Sequence, residues 1–400
     1  MRRRWLYVAL GCWSAVWFVI LAHRGGIDWK FFTTGTSLLF GGHPAVIGGI
    51  TGGPGTAGPA GLPGPPAPGG LHIFASYPAL QMGPLAYLVT GVLRHLGPDN
   101  GLVAAEVFLQ ACGLLIVYLT ERIAVSVRPS LREDPRFPFT MLTGGAVFLV
   151  AWSELAAGFA HLDDGLALLL AVLAVLAATG QPAHPVLTGV CLGLAADAKP
   201  WALVFLPVAL IARTRRDATL ALLAAILTVT AAWLPFFIAD PGTVHATKFL
   251  IRNQPMSALR ALGVRENYTP SWDRLTQVLL GCALGTLAVW RRRWAAVLLL
   301  AGGARLLLDP AAHSYYTPDV MTGALLWDVL GGRRPADVPG GRRAAPVWSI
   351  ASFAALNVAP LVISDPATQG TIRLGLIAAF TVATLMLPAQ PRVSPAVELG

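Results

Sequence analysis

The chain has 400 residues, 55% of them hydrophobic and only 12% charged, with a mean hydropathy of +0.63. A soluble domain carries roughly 25% charged residues, and half that supply leaves too little polar surface to cover a water-exposed globule. The net charge of +9 sits in short clusters between apolar blocks, which is the pattern of topology signals and excludes a nucleic-acid partner.

The apolar blocks are about 15 to 22 residues long, enough to span a hydrocarbon core. The expectation is an all-α polytopic membrane protein, one integral membrane domain over residues 1–400 with about 11–13 spans. Arg2-Arg3-Arg4 precedes the apolar run Trp5 to Ala22. No A-x-A cleavage site follows it, so an uncleaved first helix with a cytoplasmic N-terminus is expected. Residues 24–77 form a long outer loop, and 41–70 within it is almost wholly Gly, Pro and small residues. Such a tract forms no helix or strand interior and reads as a dispensable insertion.

Further apolar blocks cover 78–97, 101–120, 137–159, 165–180, 186–196 and 201–212, and then 219–238, 274–290, 295–308, 319–331, 347–364 and 371–388. Arg-rich connectors separate them at Arg122 to Arg136, Arg213 to Arg216, Arg291 to Arg293 and Arg333 to Arg343, and the positive-inside bias assigns these to the cytoplasm. That alternation leaves 78–97, broken by Pro84, as a juxtamembrane or re-entrant element or a misassigned connector. It makes 239–273 a second long outer loop. The four cysteines lie in apolar blocks without a CxxC pair, and they read as free thiols.

The outer face then collects the informative polar residues. Asp28, just beyond the first helix, suits a general base that takes a proton from a bound hydroxyl; it also suits an interfacial acid balancing Arg24 or Lys30. His161, Asp163 and Asp164 top a helical hairpin. They suit a divalent-cation, phosphate or hydroxyl site, and equally a solvated loop whose acids cap a helix. Glu154, seven residues before His161, falls on the same face of a continuous helix. Lys199, between two short apolar blocks, suits a lipid phosphate or a pair with Asp197. Arg252, Asn253 and Gln254, with Arg260 and Arg265 in the same loop, suit sugar hydroxyls or phosphate oxygens, or only loop polarity. In Asp309 to Tyr316, His313 and the pair Tyr315 and Tyr316 suit stacking on a sugar or an interfacial aromatic belt. Motifs for nucleotide or zinc binding and for a serine nucleophile are absent from the sequence, so a phosphate-linked donor is expected on a lipid tail.

The order of these features resembles the GT-C membrane glycosyltransferases. Gly26-Ile27-Asp28-Trp29 followed by a small-residue helix ending in Leu39-Phe40-Gly41-Gly42 is similar to that family's opening. Ser76-Tyr77-Pro78-Ala79-Leu80 resembles its Tyr-Pro-Pro element, with Ala79 in place of the second Pro. Gly189 to Pro200, followed by Leu206-Pro207, is similar to its Gly-rich, Lys-terminated segment. Asn253-Gln254-Pro255-Met256 resembles the Asn-Gln-Ser motif of glycosyltransferase family 87, with Pro255 for Ser. Asp309 to Tyr316 lacks the Trp-Asp-His order of the family.

The resemblance implies a GT-C-like bundle and a mannosyltransferase that uses a polyprenyl-phosphate sugar donor. Its partners would be membrane lipids and a glycolipid or glycan acceptor in the cell envelope. Asp28 would deprotonate the acceptor hydroxyl, the carrier phosphate would leave with inversion, and Lys199 would steady it. His161, Asp163 and Asp164 would shape the cavity. No resident cofactor and no metal-ligand set is assigned, although a divalent cation is compatible with the Asp pair. A lipid-carrier or solute transporter, or an inactive homologue, is the alternative. Acids placed mostly at outer helix ends, without an internal repeat, favour the enzyme over a transporter.

Overall fold

A computed structural model describes residues 3–41, 68–248, 250–331 and 345–386. All but the edges of the Gly/Pro-rich tract lies outside these residues, as does the Arg333 to Arg343 connector. The regular elements among the described residues are helical, and the β structure is one isolated antiparallel bridge between Arg252 and Tyr268.

The chain is an all-helical membrane protein. Six of the described helices are long and apolar enough to cross a bilayer: Arg4–Ala22, Asp99–Val127, Phe137–Gly158, Leu162–Thr179, Arg215–Ala239 and Pro366–Met386. Shorter apolar helices cover Pro84–Leu93, Pro185–Ala198, Pro200–Ile211, Trp294–Leu308 and Val347–Val362. The expected 11–13 spans are thus divided between full-length and partial helices. The reason is local chemistry. In block 78–97, Pro84 opens a helix that ends at Leu93, so it rises only about 15 Å at 1.5 Å per residue, half the hydrocarbon depth. Block 186–212 is broken where Lys199 leaves the helix for an extended conformation (φ −147°, ψ 115°), and the chain resumes as a 3₁₀ helix from Pro200.

Two close approaches set the position of that break. Pro185–Ala198 packs between Leu162–Thr179 and Arg215–Ala239. Gly189 and Gly193, four residues apart, line its contact with the latter: a Cβ on Gly189 would lie 2.1 Å from the Ala221 carbonyl oxygen, and one on Gly193 2.5 Å from Thr228 Cβ. Small residues at this spacing let membrane helices approach backbone to backbone. At the end of the same helix, Gly83 N–H donates to the Ala198 carbonyl at 3.0 Å, which docks the 77–83 segment beside Lys199.

The chain reverses so that one end of the bundle holds the turns around Asp28, His161, Lys199 and Asp309, while the described Arg-rich connectors follow helices that run away from it. Arg215–Ala239 and Arg4–Ala22 keep much of their apolar surface exposed, including Leu223, Ile226 and Leu227 on the former. Acyl chains would cover such a surface.

Candidate functional site

Asp28 precedes the helix Trp29–Leu39. Its backbone N–H donates to the Phe159 carbonyl at 3.0 Å, and Trp29 Nε1 donates to the Asn100 carbonyl at 3.0 Å. Gly26 makes the approach possible. It holds a left-handed φ of +52°, and a Cβ there would lie 2.3 Å from Leu102 Cδ1 and 3.0 Å from Ala160 Cβ. On the facing side, the helix from Phe137 ends in a π-helical turn, Glu154–Gly158. Ala160 then takes φ +50°, and His161 N–H returns to the Leu155 carbonyl at 2.9 Å.

This turn aims His161 at the first loop, and His161 Nδ1 donates to Asp28 Oδ2 at 2.8 Å. The same turn displaces Glu154, which does not share the His161 face because the helix stops between them. Glu154 instead accepts from Arg24 at 2.5 Å. Arg24 is thereby taken, and Lys30 lies over the Phe31 ring, 5.6 Å from its centroid. The pairing of Asp28 with either cation is replaced by its pairing with His161.

Asp163 and Asp164 are wholly buried at the start of Leu162–Thr179, which corrects the solvated-cap reading. Asp163 Oδ2 pairs with Lys199 Nζ, and Oδ1 accepts the Asp164 N–H at 2.8 Å. Asp164 Oδ1 accepts from Trp201 Nε1 at 2.6 Å, while Oδ2 lies 3.0 Å from His161 Nε2 and 3.4 Å from Arg305 Nη2. The alternative partner of Lys199 is likewise corrected: Asp197 Oδ1 has no hydrogen bond among the described residues. The lysine reaches the next helix because it sits in the extended break and not on the helix that carries Asp197.

Arg305 completes the cluster and was not singled out in the sequence. It pairs with Asp319, lies 3.8 Å from Asp309 Oδ2, and is sandwiched between Trp201 and Tyr316, with its guanidinium carbon 3.8 and 4.3 Å from the ring centroids. Its position inside the block 295–308 concealed it. A single Arg in an apolar run was the available signal, since a charge at membrane depth needs a partner or a function.

Burial alone disfavours a charge on His161, but the carboxylates of Asp163 and Asp164 and the hydrogen bonds to Asp164 and Asp28 outweigh it and push its pKa up to about 10. His313, beyond the Tyr315 ring, behaves oppositely: burial lowers its pKa against the pull of Asp309 and Asp28. Tyr315 stacks between them, 4.2 Å from the His161 ring centroid and 4.9 Å from that of His313, nearly parallel to the latter at 7°. Asp28 (16%) and Lys199 (12%) keep the most exposed side chains of the network that joins them through His161 and Asp163.

The residues of the 239–273 loop divide. Gln254 reaches the 309–316 turn, with its N–H on the Pro310 carbonyl at 2.8 Å and its Oε1 accepting the Ala312 N–H at 2.9 Å. Asn253 is buried but spends its amide within its own loop, on the Glu266 carbonyl at 3.0 Å and Ser257 Oγ at 2.9 Å. Arg252 is exposed at the bridge to Tyr268. Neither Arg252 nor Asn253 joins the Asp28 cluster.

His161, Asp163 and Asp164 offer ligand atoms within 4.8 Å of one another. However, each of the four carboxylate oxygens already faces an N–H or ammonium donor, and a protonated imidazole binds no metal. A divalent cation would have to displace Lys199, Trp201 or Arg305, so the donor set fits a hydrogen-bonded ion network.

No protein family matches the chain, and none of the curated proteins does. Among solved structures, it is similar to ArnT from Cupriavidus metallidurans in the apo state, at 16% identity and a TM-score of 0.45, over 96% of this chain and 76% of that one. It is also similar to the same protein bound to undecaprenyl phosphate, at 15% identity and a TM-score of 0.41, over 96% and 77% of the two chains.

Proposed function

We propose that this chain is a membrane glycosyltransferase that moves a sugar, mannose by the sequence resemblance, from a polyprenyl-phosphate carrier to a hydroxyl of an envelope glycolipid or glycan on the outer face. The observation that carries the reading is the clamped Asp28: one carboxylate oxygen is held by His161 at 2.8 Å, while the other makes no hydrogen bond among the described residues. The hydrogen bond from His161 fixes the direction of the carboxylate, so the free oxygen is available to an acceptor hydroxyl. Every element that builds the site ends at one end of the bundle, where a substrate anchored in lipid can reach it.

In this mechanism the acceptor oxygen attacks the anomeric carbon as its proton passes to Asp28. The bond from that carbon to the phosphate oxygen breaks with its electron pair, and the sugar inverts. The carrier phosphate leaves as an anion. Lys199 uses one N–H on Asp163 and retains others for that oxygen, in a site whose ions are already oriented. Arg305 acts behind it by holding Asp164 and Asp319 in place. Proteoliposomes carrying the protein and labelled polyprenyl-phosphate mannose, with the host's envelope glycolipids as acceptor, test the proposal. The expected product is a labelled glycolipid whose new linkage has the anomeric configuration opposite to the donor's. Retained configuration, or label crossing the bilayer without transfer, contradicts it.

A further inference from the structure

Arg373 is a buried cation that the chemistry above does not use. It lies in the second turn of Pro366–Met386 and is 3% exposed. Its Nη2 donates to the Ala312 carbonyl at 3.3 Å, its Nε has no partner, and no carboxylate lies within ion-pair distance among the described residues. A guanidinium away from water without an ion-pair partner is costly, and each of the other buried cations of the site, His161, Lys199 and Arg305, has a carboxylate partner.

Its surroundings tie it to the site. Ala312, which accepts from Arg373, is held through its N–H by Gln254. One turn before Arg373, Gly370 packs on the Ser257 carbonyl, 2.8 Å from where its Cβ would be. Three elements therefore meet there: the 253–257 loop, the 309–313 turn and the last helix. His313 is next to it, its ring nitrogens without a hydrogen bond among the described residues, and it is near enough to feel the charges of both Arg373 and Asp28. The Tyr315 ring separates His313 from His161.

We infer that Arg373, with His313 beside it, is an anion subsite that binds a phosphate or carboxylate group of the acceptor and so restricts the enzyme to acidic acceptors. This rests on the glycosyltransferase reading for the word acceptor, but not for the binding itself. A guanidinium with unused N–H donors suits an oxyanion. Placed across the Tyr315 stack from Asp28, it would hold the acceptor's charged group while a hydroxyl of the same molecule reaches the base.

The test uses the full chain, in two parts. In proteoliposomes, envelope glycolipids separated by anion exchange into neutral and acidic pools serve as acceptors for wild type, Arg373→Gln and Arg373→Lys. The acceptor KM of Arg373→Gln should rise about 10- to 100-fold for the acidic pool, with donor KM unchanged and partial rescue by lysine. Equal effects on both pools, or none, overturn the inference. In native mass spectrometry, protein carrying Lys199→Met with Asp163→Asn, which lacks the ammonium for the carrier phosphate, should retain phosphatidic acid over phosphatidylcholine, and adding Arg373→Gln should abolish that preference. This second readout stands even if no transfer occurs, so failure of the enzyme reading is distinguished from failure of the subsite. An unchanged lipid preference when Arg373→Gln is added rejects the subsite.

Discussion

Lys199 pairs with Asp163, a residue of the neighbouring helix, and leaves Asp197, two residues away on its own segment, without a partner for Oδ1. The choice follows from the backbone. Helix ends at Ala198, and the extended Lys199 projects from the break toward the start of Leu162–Thr179. The pair thus ties the break after Ala198 to the start of Leu162–Thr179, and it leaves part of the ammonium group open.

Breaking this pair on one side only should be expensive. Lys199→Met takes the ammonium away from the buried Asp163 Oδ2, and removal of one partner of a buried pair costs about 3–5 kcal/mol. The single variant should therefore unfold in detergent well below wild type. Lys199→Met with Asp163→Asn should recover most of the stability but not the use of the lipid donor. Thermal unfolding and donor KM measured together check both halves: recovery of donor use in the double variant would remove Lys199 from phosphate binding.

The pH dependence follows from His161. Its pKa is raised in the folded protein to about 10, above the ordinary value of about 6.5. Its contribution to stability is therefore complete below about pH 6.5, and it declines as pH rises until it is lost through about pH 10. Unfolding followed from neutral to alkaline pH should show that loss in wild type, and His161→Phe should flatten the curve. Transfer should also fall at high pH, since a neutral imidazole holds the Asp28 carboxylate in direction less firmly. An alkaline limb that survives His161→Phe would contradict this.

Gly189 and Gly193 should tolerate no side chain. A Cβ on either lies within 2.5 Å of the facing helix, so Gly189→Val must push Pro185–Ala198 away from Arg215–Ala239. Overpacking of this kind costs about 1–3 kcal/mol. Transfer should fall as well, because this helix carries Lys199 at its end. Measured unfolding and activity in Gly189→Val should decline together.

Much of this was legible in the sequence. Low charge and long apolar blocks gave the helical membrane class, and charges stranded at block ends identified Asp28, His161, Asp163, Asp164 and Lys199, which the fold gathers into one network. What was not legible depended on departures from ideal helices. The π turn at Glu154–Gly158 rotated Glu154 off the His161 face, and no periodicity rule anticipates it. Arg305 and Asp319 lay inside apolar runs, and their meeting is a tertiary event. Asn253 looked like a ligand because its loop is polar, yet its amide is consumed by Glu266 and Ser257.

Asp28 is the proposed base. The decisive measurement is sugar transfer by Asp28→Asn beside wild type, in proteoliposomes with labelled polyprenyl-phosphate mannose, with bound donor quantified in the same vesicles. Loss of the base should lower transfer by about 10²–10⁴-fold while donor binding stays at the wild-type value. Transfer by Asp28→Asn at the wild-type rate would contradict the assignment of the base and the mechanism built on it.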